Sequence, residues 1–298
     1  MSLKKLIVLS GPTAVGKSDV AIRLAEDYNI PIISADSRQV FRQVNIGTSK
    51  PSSFQLSKVK HYFIDHIEIS ENYSTGQYVK EANGLISDLF KVYDKVLICG
   101  GTGLYIKSIL QGLDNFPDID NDIRNQVRQN YDRFGIDYLS NELKKLDVIY
   151  FDQVDQMNPR RLMRALEVCL SSGQTYSEFL EKSNIKKDYL VREIFLNLDR
   201  EVLYNMINHR VDKMMKEGLL SEVLELIEYR NTQALNTVGY TELIQYLDNK
   251  CTLDEAVEKI KQHTRNYAKR QITWFKKFNL GICLEPNQYE QIKNYIES

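Results

Sequence analysis

Residues Gly11-Pro12-Thr13-Ala14-Val15-Gly16-Lys17-Ser18 fill every position of the pattern G-x-x-x-x-G-K-[ST]. No other stretch limits the fold as much. A loop of backbone N–H groups can wrap phosphate oxygens only if a strand delivers the chain and a helix carries it away. Both flanks are present. Leu6–Leu9 is a short apolar run suited to a buried strand, and Lys17 to Tyr28 has a helical pattern. The start of that helix adds its positive dipole end to the loop. Lys17 supplies a point charge for a terminal phosphate, and Ser18 a hydroxyl for Mg²⁺. The octad implies binding of a di- or triphosphate and leaves the reaction open.

The remaining apolar runs extend this pattern. Ile30–Ala35, Val96–Cys99, Ile194–Leu198 and Ile282–Leu284 read as strands separated by helical stretches, and Gly218 can end the helix after the fourth. Continuous apolar strands alternating with helices predict an α/β fold, a P-loop-type parallel sheet covered by helices on both faces. The alternation breaks between Asn115 and Asp188, which shows helices and loops but no strand pattern. It opens at Phe116-Pro117-Asp118 and closes near Ser183-Asn184-Ile185-Lys186-Lys187-Asp188. The expected organisation is a catalytic core over 1–114 and 191–298, ending in a basic helix, with a helical insert over 115–190.

Two further residues stand at strand ends. Asp36 follows the second apolar run, and Thr102 follows Gly100-Gly101 after the third. In open parallel sheets ligands sit outside the carboxyl ends of the strands, so both residues point to the crevice of the phosphate loop. On position alone Asp36 fits a Mg²⁺-associated carboxylate, a general base or a solvated strand end. Thr102 fits a crevice residue or a helix N-cap.

The charge sum misleads. Lys and Arg number 39 against 40 Asp and Glu, a net of -1, which argues against a polyanionic partner. Locally, Lys259, Lys261, Arg265, Lys269, Arg270, Lys276 and Lys277 fall within one stretch that holds no acid. The stretch from Asp212 to Glu258 is acid-rich and cancels them. Helical spacing puts Ile260, Thr264, Ala268, Ile272 and Phe275 on one face and Arg265, Lys269, Thr273 and Lys276 on another, with Tyr267 and Trp274 interleaved. Basic side chains with aromatics suit a phosphate backbone and an unstacked base. Arg160, Arg161 and Arg164 form a second cluster, at a helix start with Asn158 as cap and Pro159 at the first position. They suit phosphate contacts, or pairing with Glu167, Asp152 and Asp155.

Other classes fall away. Cys99, Cys169, Cys251 and Cys283 are far apart, without zinc spacing, and read as thiols in a reducing cytosol. No apolar run approaches the roughly 18 residues of a membrane span. The apolar start Leu6–Leu9 is cut by Gly11-Pro12, too soon for a signal peptide. The expected location is cytoplasmic.

Taken in order, the octad, Asp36-Ser37 with Gln39, Ile46-Gly47-Thr48-Ser49-Lys50-Pro51, Gly100 to Tyr105, Arg161-Leu162 through Arg164 to Val168, Val238-Gly239-Tyr240 and Lys269-Arg270-Gln271-Ile272-Thr273-Trp274-Phe275 are similar to the tRNA dimethylallyltransferases, or tRNA isopentenyltransferases, in their bacterial form. The resemblance covers nearly the whole chain. It implies transfer of a dimethylallyl group from dimethylallyl diphosphate to N6 of the adenosine 3′ of the anticodon, with diphosphate leaving and Mg²⁺ as cofactor. It implies Asp36 as the catalytic aspartate, Thr102 as a contact to the target nucleotide, and Arg210 as the arginine near the leaving group. It further implies tRNA contacts at Asp36, Ser37, Arg38, Gln39, Thr102, Arg124, Arg160, Arg161, Leu162, Met163, Arg164, Gly239, Tyr240, Lys269, Arg270, Gln271, Thr273 and Trp274. The partner would be the tRNA anticodon stem-loop, met by a monomer. Phe41, Tyr62, Phe63 and Thr241 depart from the family's usual residues, and no zinc-finger extension follows. A P-loop small-molecule kinase using ATP, with Asp36 as base, is the rival reading. An RNA-binding GTPase-like module is a second, though no N-K-x-D motif supports it.

Overall fold

A computed structural model describes residues 3–114, 116–180, 187–278 and 281–298. Its centre is one six-stranded sheet. The strands are β1 (Lys5–Ser10), β2 (Ile32–Ser34), β3 (His61–Tyr62), β4 (Lys95–Gly100), β5 (Leu190–Leu196) and β6 (Ile282–Leu284). Their order is β3-β2-β4-β1-β5-β6, and every pairing is parallel. The helices are α1 (Lys17–Tyr28), α2 (Ser53–Lys58), α3 (Thr75–Leu89), α4 (Gly103–Gln111), α5 (Asn121–Leu146), α6 (Val148–Phe151), α7 (Pro159–Ser172), α8 (Arg200–Lys216), α9 (Leu219–Glu225), α10 (Tyr240–Leu247), α11 (Leu253–Phe278) and α12 (Tyr289–Glu297).

Strand alternation explains why helices cover both faces. Side chains of period two send Leu6 and Val8 to one side, into a core with Ile33, Val96 and Ile98. Ile7 and Leu9 go to the other, with Ile32, Leu97, Ile194 and Leu196. Neither face can meet water, so each takes a helical layer.

Register then positions the crevice. Ser10 pairs with Gly100 and with Phe195, and Ser34 pairs with Cys99. Parallel strands ending level place the loops after β1, β2 and β4 side by side at the carboxyl ends of the strands.

Three differences from the sequence reading have local causes. β2 begins at Ile32 rather than Ile30, because the Ile30 N–H closes the end of α1 on the Ala25 carbonyl and Pro31 has no N–H to give. β5 begins earlier than expected, at Leu190, and ends at Leu196; Arg192 and Glu193 broke its apolar signal. β3 is two residues long, too short for any periodic signal. Gly218 (φ 100°) does lie at the end of α8, which stops at Lys216.

Contacts divide the chain into two units, Met1–Leu110 with Lys186–Ser298, and Gln111–Ile185. The insert was expected to close over Ser183 to Asp188, of which Ser183 to Lys186 lie outside the described residues. The second unit is helical among its described residues and has its own core of Val127, Leu139, Leu143, Val154, Leu162, Ala165 and Leu166. Gly135 (φ 76°) breaks α5 in the middle. Buried Asp147 ties the unit together: its carboxylate accepts from the N–H of Tyr150 (2.9 Å), the N–H of Ser177 (2.7 Å) and the Ser177 hydroxyl (3.0 Å). Asn158 caps α7 from its side chain, with Pro159 at the first position. All four cysteines are free thiols. Among the described residues no helix is long and apolar enough to cross a membrane.

Candidate active site

The phosphate loop leaves β1 and turns into α1 through two left-handed residues, Ala14 (φ 67°) and Gly16 (φ 93°). Gly16 is free to adopt this; Ala14 is strained by it. A Cβ on Gly11 would strike the Leu196 carbonyl, so the loop lies against the end of β5. Lys17 is half-buried and donates to the carbonyls of Gly11 (2.9 Å) and Pro12 (2.8 Å). Burial lowers its pKa to about 8; nearby Arg210 pushes the same way, while Cys99 and Asp36 oppose it. Ser18 is exposed on the first turn of α1.

Beside the loop opens a cavity of about 660 Å³, reached by Thr13, Lys17, Ser18, Asp36, Gln39, Arg210, Tyr267 and Gln271. Asp36 sits two residues past β2. Its Oδ1 accepts from the N–H of Arg38 (2.8 Å) and Gln39 (3.3 Å), an Asx turn that fixes the carboxylate toward the crevice. Thr102 faces it across the β2–β4 gap: its hydroxyl accepts from the Ser37 N–H (3.0 Å), and its N–H donates to the Ala35 carbonyl (3.1 Å). Gly100 allows this approach, since a Cβ there would meet the Ala35 carbonyl. Arg210 comes from α8 and donates to the Thr13 hydroxyl (3.4 Å). Burial lowers its pKa, while Asp19 and Asp36 hold it up. Tyr105 and Tyr267 are both pushed up to about 12, by burial first and then by the Asp36 charge. Asp36 is thus a shared electrostatic neighbour of Lys17, Arg210 and the phenols of Tyr78, Tyr105 and Tyr267.

The far wall of the cavity is the segment after Phe41. Gln39 holds it by donating to the carbonyls of Thr48 (3.1 Å) and Ser49 (3.2 Å). Lys50, with 6% of its side chain exposed, donates to the Phe41 (2.6 Å) and Arg42 (3.0 Å) carbonyls and pairs with Asp65. Glu222 of α9 accepts from the N–H groups of Asn45, Ile46 and Gly47 and from the Tyr240 hydroxyl.

The structure therefore brings together the octad, Asp36, Thr102 and Arg210. Four residues expected at the RNA surface lie inside the fold instead. Tyr240 is fully buried, its ring against Gly47. Gly239 (φ 100°) is buried and gives its N–H to Glu242. Leu162 is fully buried in the insert core, because α7 turns its apolar stripe inward. Gln271 is 6% exposed and bonded at both ends of its amide. Trp274 is half-buried over Gly103 and Phe278, and Met163 packs on the insert core. Ser37, half-buried, uses its N–H on Thr102. Arg38 reaches the carbonyls of Gln233 and Asn236. Lys269, Arg270 and Thr273 are exposed on α11, and Arg160, Arg161 and Arg124 are exposed on the insert. Arg164 is 3.8 Å from Glu167 and lies over the Phe116 ring. Glu222 does not stand out in the sequence, and Lys50 figures there only within the Ile46 to Pro51 block, without a role. Only the Tyr240 neighbourhood could have hinted at the first, and nothing local pointed to it.

Residues 39–278 match the family model described as IPP transferase. The chain belongs to the IPP transferase family. A tRNA dimethylallyltransferase of Flavobacterium johnsoniae is 45% identical over 281 residues, covering 92% of this chain and 91% of the relative. The tRNA dimethylallyltransferase 1 of Bacteroides fragilis is 41% identical over 298 residues, covering 100% of this chain and 99% of the relative. Among solved structures, the full-length tRNA isopentenylpyrophosphate transferase of Bacillus halodurans matches with a TM-score of 0.72 at 32% identity, covering 99% of this chain and 97% of that one. A eukaryotic dimethylallyltransferase acting on tRNA matches with a TM-score of 0.79 at 26% identity, covering 97% of this chain and 75% of that one. The six-stranded parallel core is therefore the IPP transferase fold.

Proposed function

We propose that this IPP transferase moves a dimethylallyl group from dimethylallyl diphosphate to N6 of the adenosine 3′-adjacent to the anticodon of tRNA. The observation that carries the reading is the convergence, in one cavity, of the phosphate loop, Lys17, Arg210 and the Asp36 carboxylate. A kinase would use the same loop, but the relatives are named as tRNA dimethylallyltransferases.

The exocyclic amine is a poor nucleophile and an allylic diphosphate a good electrophile, so catalysis rests on positioning and on leaving-group charge. The loop's N–H groups, Lys17 and Arg210 bind the diphosphate. Lys17 must turn from the Gly11 and Pro12 carbonyls to do so. Asp36 orients the N6 amine and accepts its proton as the N–C bond forms and the allylic C–O bond breaks. Thr102 supports the base beside it, which must leave its stack to enter the crevice.

Mg²⁺ fits this donor set. Ser18 lines the cavity beside the phosphate loop and carries a hydroxyl of the kind Mg²⁺ takes. That is the pattern of an ion held jointly with phosphate oxygens and water. Bound there by Ser18, it would neutralise charge on the departing diphosphate.

The exposed residues of α11 and α7 supply the RNA contacts in this reading, to the anticodon stem-loop. In this reading the chain also acts as a monomer. The four free thiols suit the cytoplasm. The test is incubation of unmodified tRNA with Mg²⁺ and either radiolabelled dimethylallyl diphosphate or γ-labelled ATP. Label from the allylic donor in tRNA supports the transferase; label only from ATP overturns it.

A further inference from the structure

We propose that Gln271 is a positioning residue, a clamp that joins the phosphate loop to the loop carrying Thr102 and so sets the spacing between leaving group and acceptor amine. The inference deepens the proposed prenyl transfer and rests on it.

Gln271 lies on the inward face of α11. Its Oε1 accepts from the Thr13 N–H (2.8 Å) and its Nε2 donates to the Gly101 carbonyl (2.9 Å). A primary amide is the side chain that offers an acceptor and a donor side by side. Glutamate lacks the donor, and methionine lacks both.

Each end holds something the reaction needs. Thr13 precedes Ala14, whose left-handed backbone costs about 1 kcal/mol or more and persists only where its surroundings enforce it. One tether on this limb is the Lys17 ammonium, bound to the Gly11 and Pro12 carbonyls. That tether is lost when Lys17 turns to a diphosphate. The Thr13–Gln271 bond remains and keeps the limb in place. At the other end Gly101 adjoins Thr102, whose hydroxyl holds the Ser37 N–H beside Asp36. One buried amide thus joins the leaving-group loop to Gly101, next to the Thr102 that holds Ser37 beside Asp36. Gly101 is matched to it, because a Cβ there would collide with Gln271 Nε2.

The same helix shows Lys269, Arg270 and Thr273 to solvent. The outer side chains suit contact with RNA, and the inner one holds the reacting loops. A side chain that positions should therefore act on kcat, and a side chain that touches RNA on KM for tRNA.

The test is steady-state transfer of label from dimethylallyl diphosphate to unmodified tRNA by wild type, Gln271→Met, Gln271→Glu and Gly101→Ala. The last displaces the amide without altering it, which guards against a variant that fails to fold. Alongside, calorimetry measures binding of inorganic diphosphate with Mg²⁺. The expected result is a fall in kcat of about 100-fold in all three variants, with KM for tRNA within about threefold. Diphosphate affinity should fall by up to about tenfold in Gln271→Met. A raised KM for tRNA at unchanged kcat would overturn the clamp and make Gln271 an RNA contact. If wild type transfers no label, prenyl transfer fails as a reading. The clamp is then judged by diphosphate binding alone, and equal affinity in wild type and Gln271→Met overturns it.

Discussion

Helix α11 of the core and helix α7 of the insert both carry basic residues at helical spacing, but they engage them differently. On α11, Lys261 is only 16% exposed and pairs with Asp212 (2.8 Å) and Glu258 (3.0 Å). Arg265 donates to Asn208 (2.6 Å), and Arg270 lies over the Tyr267 ring. Lys269, Lys276 and Lys277 stay in solvent. On α7, Arg160 and Arg161 project outward, and only Arg164 turns toward Glu167 and Phe116. A helix packed along a core meets acidic neighbours that draw its charges in. At the start of α7, capped by Asn158, Arg160 and Arg161 are exposed. A basic run therefore overstates the charge available to a polyanion, and the acid-rich stretch from Asp212 to Glu258 is part of what reduces it.

In the proposed reading chemistry belongs to the core crevice and RNA affinity to outward arginines, and that division can be broken at either end. The largest effect is expected from Asp36→Ala, with kcat falling about 10²–10⁴-fold while tRNA affinity changes far less. Near-normal turnover in single-turnover assays would remove Asp36 from the reaction. Leu162→Ala comes next, acting through packing: a loss of about 2–5 kcal/mol in urea unfolding, with no change in the salt dependence of tRNA binding. A changed salt slope with full stability would return Leu162 to the RNA surface.

The pH dependence isolates Lys17. Burial lowers its pKa to about 8, so the ammonium carries its charge below that pH and loses it as pH rises through it. In kcat/KM for the diphosphate donor, activity should hold below about pH 8 and then fall by up to about tenfold per unit. A flat profile to pH 9.5 would show that this charge does not act on the donor. Smaller again is Arg161→Ala, which should lower the slope of log K against log salt by about 0.7–0.9 for one lost phosphate contact. Lys261→Ala should leave that slope where it was, because Asp212 and Glu258 already hold the ammonium. Equal slopes for the two variants would erase the distinction between the helices.

Much of the core was legible because its signals are local. The octad states its own loop, strand and helix, and α1 runs over Lys17–Tyr28 as its pattern implied. β6 falls on Ile282–Leu284, Asp36 lines the cavity, and Thr102 bonds the Ser37 N–H beside it. The break in alternation marked a stretch that the structure shows as helical. Gln271 was half legible. It follows Ala268 by three residues and precedes Phe275 by four, which places it on the buried face, yet the family resemblance set it among the tRNA contacts.

The sequence by itself determined the elements, the phosphate loop and the order of the residues that meet it, since these depend on neighbours a few positions apart. The tertiary structure alone decided which polar groups face solvent and which brace the site. Glu222 gathers three N–H groups from Asn45 to Gly47, and Gln271 joins Thr13 to Gly101. These bonds close only after the chain has folded back on itself, and a buried amide or carboxylate is recognised by the partners that satisfy it.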